Sequence, residues 1–251
     1  MSRDPQLLVL PFLALVLNGF VWLLVFMSVW LLGAPPMSPS SSFLYQEIYG
    51  AYLISYFLAV YFMTAITAAA YLRIQGRRPT VTEGISAANQ CIVRLVAWCL
   101  FAGTVGVWLR ILSLRYEQAG RITARLFGNS WPIASLFVLP VMAIEDVGPI
   151  HAFHRSRTLI RERWGSHPSG VLGTGVVFAL LFTLGFVPLL WSVLGDGGYP
   201  FAALTAFYWL VLVSLWSVVH GILVTSLYHY ATQSSAAFGF GWQALNRPWV
   251  R

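Results

Sequence analysis

The chain has 251 residues, of which 58% are hydrophobic and only 9% are charged. Soluble domains carry about 25% charged residues, and several apolar runs here exceed the roughly 18 residues that a membrane span needs. The composition therefore excludes an ordinary soluble domain and predicts an all-α, polytopic transmembrane bundle. The net charge is +7 and every basic residue is arginine, but the arginines flank apolar runs instead of forming a basic domain, so we expect no nucleic-acid partner.

The first half of the chain predicts three spans, over residues 7–32, 47–72 and 92–112. The first run is too long for a signal peptide, and its lone Asn18 suits an interhelical hydrogen bond. A short helix starting near Thr82 is expected to lead from a basic turn into the third span. The second span carries a stripe of small residues that would let a neighbouring helix approach closely: Thr64, Ala65, Ala68 and Ala69.

The second half predicts spans over residues 126–144, 171–194 and 201–230, followed by an interfacial tail over 231–251. The fourth span is the doubtful one, because the apolar run 131–144 reaches only about 21 Å as a helix and contains two prolines. It becomes long enough only by including residues from about 126.

Arginine distribution favours six spans over five. Six spans with a cytoplasmic N-terminus place about eleven arginines on the cytoplasmic side, as the positive-inside rule requires. Without the fourth span, the arginines of 155–163 and of the tail would face outside. We therefore expect a multi-pass protein of a prokaryotic plasma membrane with both termini cytoplasmic. Four arginines stay on the outer side in this topology and have no explanation: Arg110, Arg115, Arg121 and Arg125.

The densest charged segment, 145–165, predicts an amphipathic helix beginning at Gly148-Pro149, since proline is tolerated in a first turn. Its apolar arc contains Ala152, Phe153, Ser156, Leu159, Ile160 and Trp164, with Arg163 as a charged intruder. This pattern is typical of a helix lying in the membrane interface. Two interpretations follow: a cytoplasmic loop obeying the positive-inside rule, or a surface that binds anionic lipid or a protein partner. The residues assigned to that surface are Arg155, Arg157, Arg161, Arg163 and Trp164, together with Arg77 and Arg78 of the basic turn.

Catalytic and metal signatures are missing from the sequence. No nucleophile elbow, zinc-protease motif or phosphate-binding loop is present. His151 and His154 are one helical turn apart, but their spacing matches no established zinc signature. We therefore predict no enzyme activity, no cofactor and no metal. His220, deep in the sixth span, is either a histidine hydrogen-bonded within the bundle or part of a polar path.

A spaced pattern in the middle of the chain resembles an uncharacterised family of prokaryotic integral membrane proteins, a domain of unknown function. Its members are Trp131, Phe137, Pro140, Glu145-Asp146-x-Gly148, Arg155-Ser156 and Trp164-Gly165. The resemblance also includes Tyr61–Tyr71 and Thr80–Ala88, so it extends over roughly residues 55–195. The resemblance implies a six-span bundle with an amphipathic cytoplasmic segment before the fifth span. It implies no catalytic residues, and the pattern does not include His151 or His154.

The leading functional hypothesis is a non-enzymatic membrane component whose arginine-rich helix engages anionic lipid or a partner, with a homo-oligomer as a further possibility. The alternative is a small permease or transport-accessory subunit, with His220 and Asn18 facing a polar path. A membrane-embedded lipid enzyme is a third class, for which the sequence offers no catalytic cluster.

Overall fold

The computed structural model describes residues 9–31, 42–115, 133–164, 171–194 and 198–233. These residues are helices and the short turns between them. The helices are α1 (Val9–Leu31), α2 (Ser42–Ile74), α3 (Val81–Gln90), α4 (Ile92–Arg115), α5 (Val138–Ile144), α6 (Pro149–Trp164), α7 (Val171–Leu184), α8 (Phe186–Leu194) and α9 (Gly198–Gln233).

Three of these helices contain a segment long and apolar enough to cross a membrane: Val9–Leu31 in α1, Gln46–Ile74 in α2 and Leu204–Gln233 in α9. They correspond to the predicted first, second and sixth spans. The predicted third span is α4, which follows α3 after a bend of 68°. If this bent pair forms one broken span, the described residues contain four.

The outer surface of these helices is apolar, as expected for contact with lipid. Large side chains of α1 point outward, including Phe26 at 65% and Trp30 at 69% exposure. α8 exposes Val187 and Trp191 in the same way, and α9 exposes Phe207. Exposed apolar surface this extensive is unusual for a soluble monomer and is ordinary for a protein embedded in a bilayer.

α2 lies at the centre of the bundle, where it contacts α1, α3, α4, α5 and α9. The predicted small-residue stripe is buried and lets α3 approach, because a Cβ at Gly84 would lie only 2.9 Å from the carbonyl oxygen of Ala65. Ile66 of α2 packs equally closely on Gly221 of α9, where a Cβ would meet its Cγ2 at 2.6 Å. The prediction of close helix approach along this stripe is confirmed.

The described part of the fourth predicted span is short. Residues 133–134 are helical, a turn follows at 135–137, and α5 (Val138–Ile144) lies in the protein core, with Phe137, Val138, Val141 and Met142 fully buried. Seven residues of helix span about 10 Å, so α5 alone does not cross a bilayer. Residues 126–132 of this prediction lie outside the described residues, and so does the tail from residue 234 onward.

The fifth predicted span is interrupted. It consists of α7 and α8, which are separated at Gly185. A Cβ at this position would collide with the indole of Trp209, which donates to the carbonyl of Phe182 at 3.2 Å. Tyr208 donates its hydroxyl to the carbonyl of Leu181 at 2.7 Å. Side chains of α9 therefore satisfy carbonyls near the break.

Candidate functional site

α6 is the arginine-rich helix, and it begins at Pro149 as predicted. Its predicted apolar arc is the side that faces the protein. Ala152, Ser156, Leu159 and Ile160 are buried, and Phe153 and Trp164 are half-buried. The sequence therefore predicted correctly which side of the helix is covered.

The buried side of α6 packs against the protein core. The Ser156 hydroxyl accepts a hydrogen bond from the backbone N–H of Phe137 at 3.0 Å. The Trp164 ring lies 6.0 Å from the ring of Phe137 and 6.2 Å from that of Tyr230. Trp164, assigned from the sequence to a lipid- or partner-binding surface, thus packs inward. Because this face is occupied, α6 does not present a free apolar face for insertion into a bilayer.

Arg163, the one charged residue on the predicted apolar side of α6, connects this helix to the end of α9. Its Nε donates to the backbone carbonyl of Ala231 at 3.2 Å, and its guanidinium lies 5.8 Å from the centre of the Tyr230 ring. A cation at the C-terminus of a helix interacts favourably with the helix dipole. Arg163 therefore has a structural role that accounts for its position among apolar residues.

Glu145 anchors the start of the α6 region. Its Oε1 accepts a hydrogen bond from the hydroxyl of Tyr228 at 2.8 Å and one from Nε of Arg155 at 3.4 Å. Tyr228 belongs to α9, so this carboxylate links the loop before α6 to a membrane-spanning helix. The charge of Arg155 is partly balanced by Glu145, which leaves it less available to an external anion.

The next residue, Asp146, forms an ion pair with Arg94 of α4. Its backbone has a φ of 56°, a left-handed conformation that aspartate adopts more readily than most residues. The loop from Glu145 to Gly148 is thus held to two different helices by two adjacent carboxylates.

Arg157 and Arg161 are the two arginines of α6 that remain available. Both are exposed, and within the described residues neither has a hydrogen bond or ion pair. They are four residues apart, which places their side chains next to each other on the helix surface. Like charges at this spacing destabilise a helix by about 0.2–0.5 kcal/mol, and a bound anion would remove that repulsion.

This face lies at the end of the bundle where α2 and α9 both terminate. The Tyr71 and His229 rings, near the two helix ends, are 6.3 Å apart, and Arg163 reaches Ala231 at the same end. α6 is therefore held beside the last turns of α9, which contains one of the candidate spans.

The basic turn of the sequence analysis lies between α2 and α3. Arg77 is paired with Glu83 at 3.1 Å, and Glu83 also forms a capping box with Thr80 at the start of α3. The Thr80 amide and hydroxyl donate to this carboxylate and lower the pKa of Glu83. Arg78 is exposed and is the freer of the two arginines.

The two polar residues proposed for a buried path are in different surroundings. Asn18 donates its amide to the carbonyl of Ser55 at 3.4 Å, so the predicted interhelical bond is observed, between α1 and α2. His220 stacks on Trp216 at 5.1 Å, and its Nδ1 is buried without a hydrogen-bond partner in the part of the chain that the structure describes. The contacts among described residues do not link Asn18 to His220.

Metal binding has little geometric basis here. In the described ranges, no three His, Cys, Asp or Glu side chains are grouped closely enough to hold an ion. His151 and His154 are both exposed on α6. The two cysteines, Cys91 and Cys99, are buried and free.

Five described residues of the spaced sequence pattern contact one another in this region, whereas Trp131 and Gly165 lie outside the described residues. Phe137 binds Ser156, Trp164 packs on Phe137, and Glu145 binds Arg155. A family model matches residues 43–238, which is most of the chain. The chain belongs to DUF6159, a family of unknown function. No curated protein and no solved structure matches this DUF6159 chain.

Sequence reasoning missed two members of this DUF6159 site, Tyr228 and Arg94. In the sequence, Tyr228 is one of several aromatic residues near the end of the predicted sixth span. Arg94 is a single charged residue near the start of the predicted third span. A pair such as Glu145 and Tyr228, 83 positions apart, leaves no periodic pattern in one sequence. One indication was available: Arg94 lies inside an apolar run, and buried or half-buried arginines need a partner.

Proposed function

We propose that this protein is a non-enzymatic component of a prokaryotic plasma membrane that binds anionic lipid headgroups through the exposed arginines of α6. The observation that supports the proposal is that Arg157 and Arg161 are exposed and have no partner among the described residues. They are adjacent, exposed and unpaired among the described residues, whereas Arg155 and Arg163 are used by contacts within the protein. Each arginine near an anionic leaflet contributes about 1 kcal/mol of attraction.

The topology belongs to the same proposal. In it the chain crosses the membrane six times, both termini are cytoplasmic, and α6 lies at the cytoplasmic surface. Three helices long enough to span and the gathering of arginines at the α2 and α9 ends support this orientation through the positive-inside rule. Labelling of cysteines introduced one at a time at Arg78 and Arg157, in a protein with Cys91 and Cys99 replaced by alanine, tests it in intact cells. An impermeant maleimide should reach neither until the membrane is opened. Labelling of either in intact cells would contradict the orientation.

Lipid binding is tested with Arg157→Gln/Arg161→Gln in the full-length protein. Native mass spectrometry of the protein extracted in mild detergent should show less co-purified phosphatidylglycerol than the wild type, with an unchanged unfolding temperature. The matched control is Glu162→Gln on the same helix. This residue is exposed and negative, so its neutralisation should increase lipid retention. Equal retention by all three proteins would refute the proposal, and a stoichiometric protein in place of lipid would point to a partner instead.

A second candidate, a small permease or transport-accessory subunit, is favoured by one observation. The Nδ1 of His220 is buried within α9 without a described partner, and ionisable groups at such depth often mark a transport path. Proton entry into pyranine-loaded proteoliposomes tests this candidate. A path through His220 requires faster acidification with the wild type than with His220→Phe, and equal rates would remove the candidate.

A further inference from the structure

We infer that the anion bound at Arg157 and Arg161 is a lipid phosphomonoester, of the phosphatidic acid type, held by both guanidinium groups at once. This inference rests on the proposed lipid binding and specifies its ligand.

Charge balance at the two arginines favours a phosphomonoester over a phosphodiester. The two free arginines supply two positive charges on neighbouring turns of one helix. A phosphomonoester carries about −1.5 to −2 at neutral pH, which balances both arginines. The phosphodiester of phosphatidylglycerol carries a single negative charge, so it would leave one arginine unbalanced.

The supply of hydrogen-bond donors also favours a phosphomonoester. Each guanidinium has a planar fork of N–H groups that matches two phosphate oxygens. A terminal phosphate exposes three oxygens, enough for two such forks, whereas a diester has only two that are not esterified. His154, exposed and three positions before Arg157, adds a further ring N–H on the same stripe of the helix.

Among the described residues, the nearby acidic side chains do not compete with an external anion for Arg157 and Arg161. Glu145 is occupied by Tyr228 and Arg155, and Asp146 is paired with Arg94. Glu162 follows Arg161 in the chain, but consecutive residues of a helix are about 100° apart around its axis. The stripe formed by His154, Arg157 and Arg161 is therefore open to an anion from the headgroup layer.

The test compares Arg157→Lys/Arg161→Lys with the wild type and with Arg157→Gln/Arg161→Gln. Lysine keeps the positive charge and removes the planar fork. Native mass spectrometry is performed on the full-length protein in detergent with phosphatidic acid and phosphatidylglycerol of the same acyl chains in equal amounts. We expect the wild type to prefer phosphatidic acid, and we expect this preference to fall about tenfold in the lysine variant, in which phosphatidylglycerol binding persists.

The outcomes separate this inference from the proposal beneath it. No preference in the wild type, or an undiminished preference in the lysine variant, overturns the phosphomonoester inference and leaves general anionic-lipid binding intact. Unchanged binding of both lipids by the glutamine variant overturns both. Glycerol 3-phosphate is added as a competitor to identify the source of the phosphate. It should displace little lipid, and efficient displacement would show that a soluble phosphomonoester is the ligand, which contradicts the lipid assignment.

Discussion

Gly84 offers a direct test of how closely α3 packs on α2. Replacement by alanine normally stabilises a helix interior by about 1 kcal/mol. Here the new Cβ would lie 2.9 Å from the carbonyl oxygen of Ala65. That atom belongs to the backbone of a central helix and cannot rotate away, so the two helices must separate.

The size of the effect follows from two opposing terms. Overpacking of this kind costs about 1–3 kcal/mol, and helix propensity returns about 1 kcal/mol of it. Gly50→Ala is the matched control, because Gly50 lies within α2 and a Cβ there meets nothing within 4 Å. Propensity cancels between the two variants, so Gly84→Ala should be less stable than Gly50→Ala by about 1–3 kcal/mol.

The assay is reversible unfolding in mixed micelles of dodecyl maltoside and SDS, followed by tryptophan fluorescence. Gly50→Ala should unfold at a higher SDS fraction than the wild type, and Gly84→Ala at a lower one. If Gly84→Ala were as stable as Gly50→Ala, the close approach at Ala65 would not exist and the argument for the packing of α3 would fail.

Four further substitutions probe other contacts in the same unfolding assay. Tyr228→Phe removes the hydroxyl that donates to Glu145 at 2.8 Å. Because this carboxylate is partly solvated, the free energy of unfolding should fall by an amount near the lower end of about 1.5–3 kcal/mol. An unchanged unfolding midpoint would contradict a structural role for this bond. Thr80→Ala should cost about 1 kcal/mol through the lost N-cap. The pKa of Glu83 is lowered in the folded protein, first by the hydrogen bond from the Thr80 amide. The ionised Glu83 therefore stabilises the fold at any pH above the pKa of this group in the unfolded chain, and this stabilisation is lost as the pH falls through the pKa in the folded protein. Glu83→Gln should remove that acid dependence, and an identical pH profile would count against the capping box. Trp209→Phe keeps the aromatic contact and removes the N–H donor at the α7–α8 break, so it should cost about 1 kcal/mol or more, and no loss would mean that the freed carbonyl has another donor.

The sequence alone predicted the elements whose signal is local. Long apolar runs located α1, α2, α4 and α9, because a helix in a membrane must hide its backbone within an apolar surface. Pro149 marked the beginning of α6, since proline fits only a first turn without loss of a hydrogen bond. The periodicity of 3.6 residues identified its buried side, including Ser156, which is polar but completely covered.

Two interruptions were beyond local prediction. The run 171–194 is mainly apolar and contains Gly185 and Pro188, residues that a continuous membrane span tolerates, so the sequence does not decide between one helix and two. The break at Gly185 depends on Trp209 and Tyr208, which come from α9 and satisfy carbonyls near the break. The second interruption is the turn at 135–137, which separates the helical residues 133–134 from Val138–Ile144 in the described part of the fourth segment.

Tertiary structure also decided what the arginines of α6 do. Composition and periodicity place Arg155, Arg157, Arg161 and Arg163 on one short helix and set only Arg163 apart, on its apolar side. Only the fold brings Glu145 to Arg155 and the carbonyl of Ala231 to Arg163, so Arg157 and Arg161 are the exposed arginines of α6 that have no partner among the described residues. Periodicity determines which side of a helix is apolar, but the partner that covers it comes from a distant part of the chain. For this protein the partner is the core around Phe137, which covers the apolar side of α6 and leaves its charged side exposed.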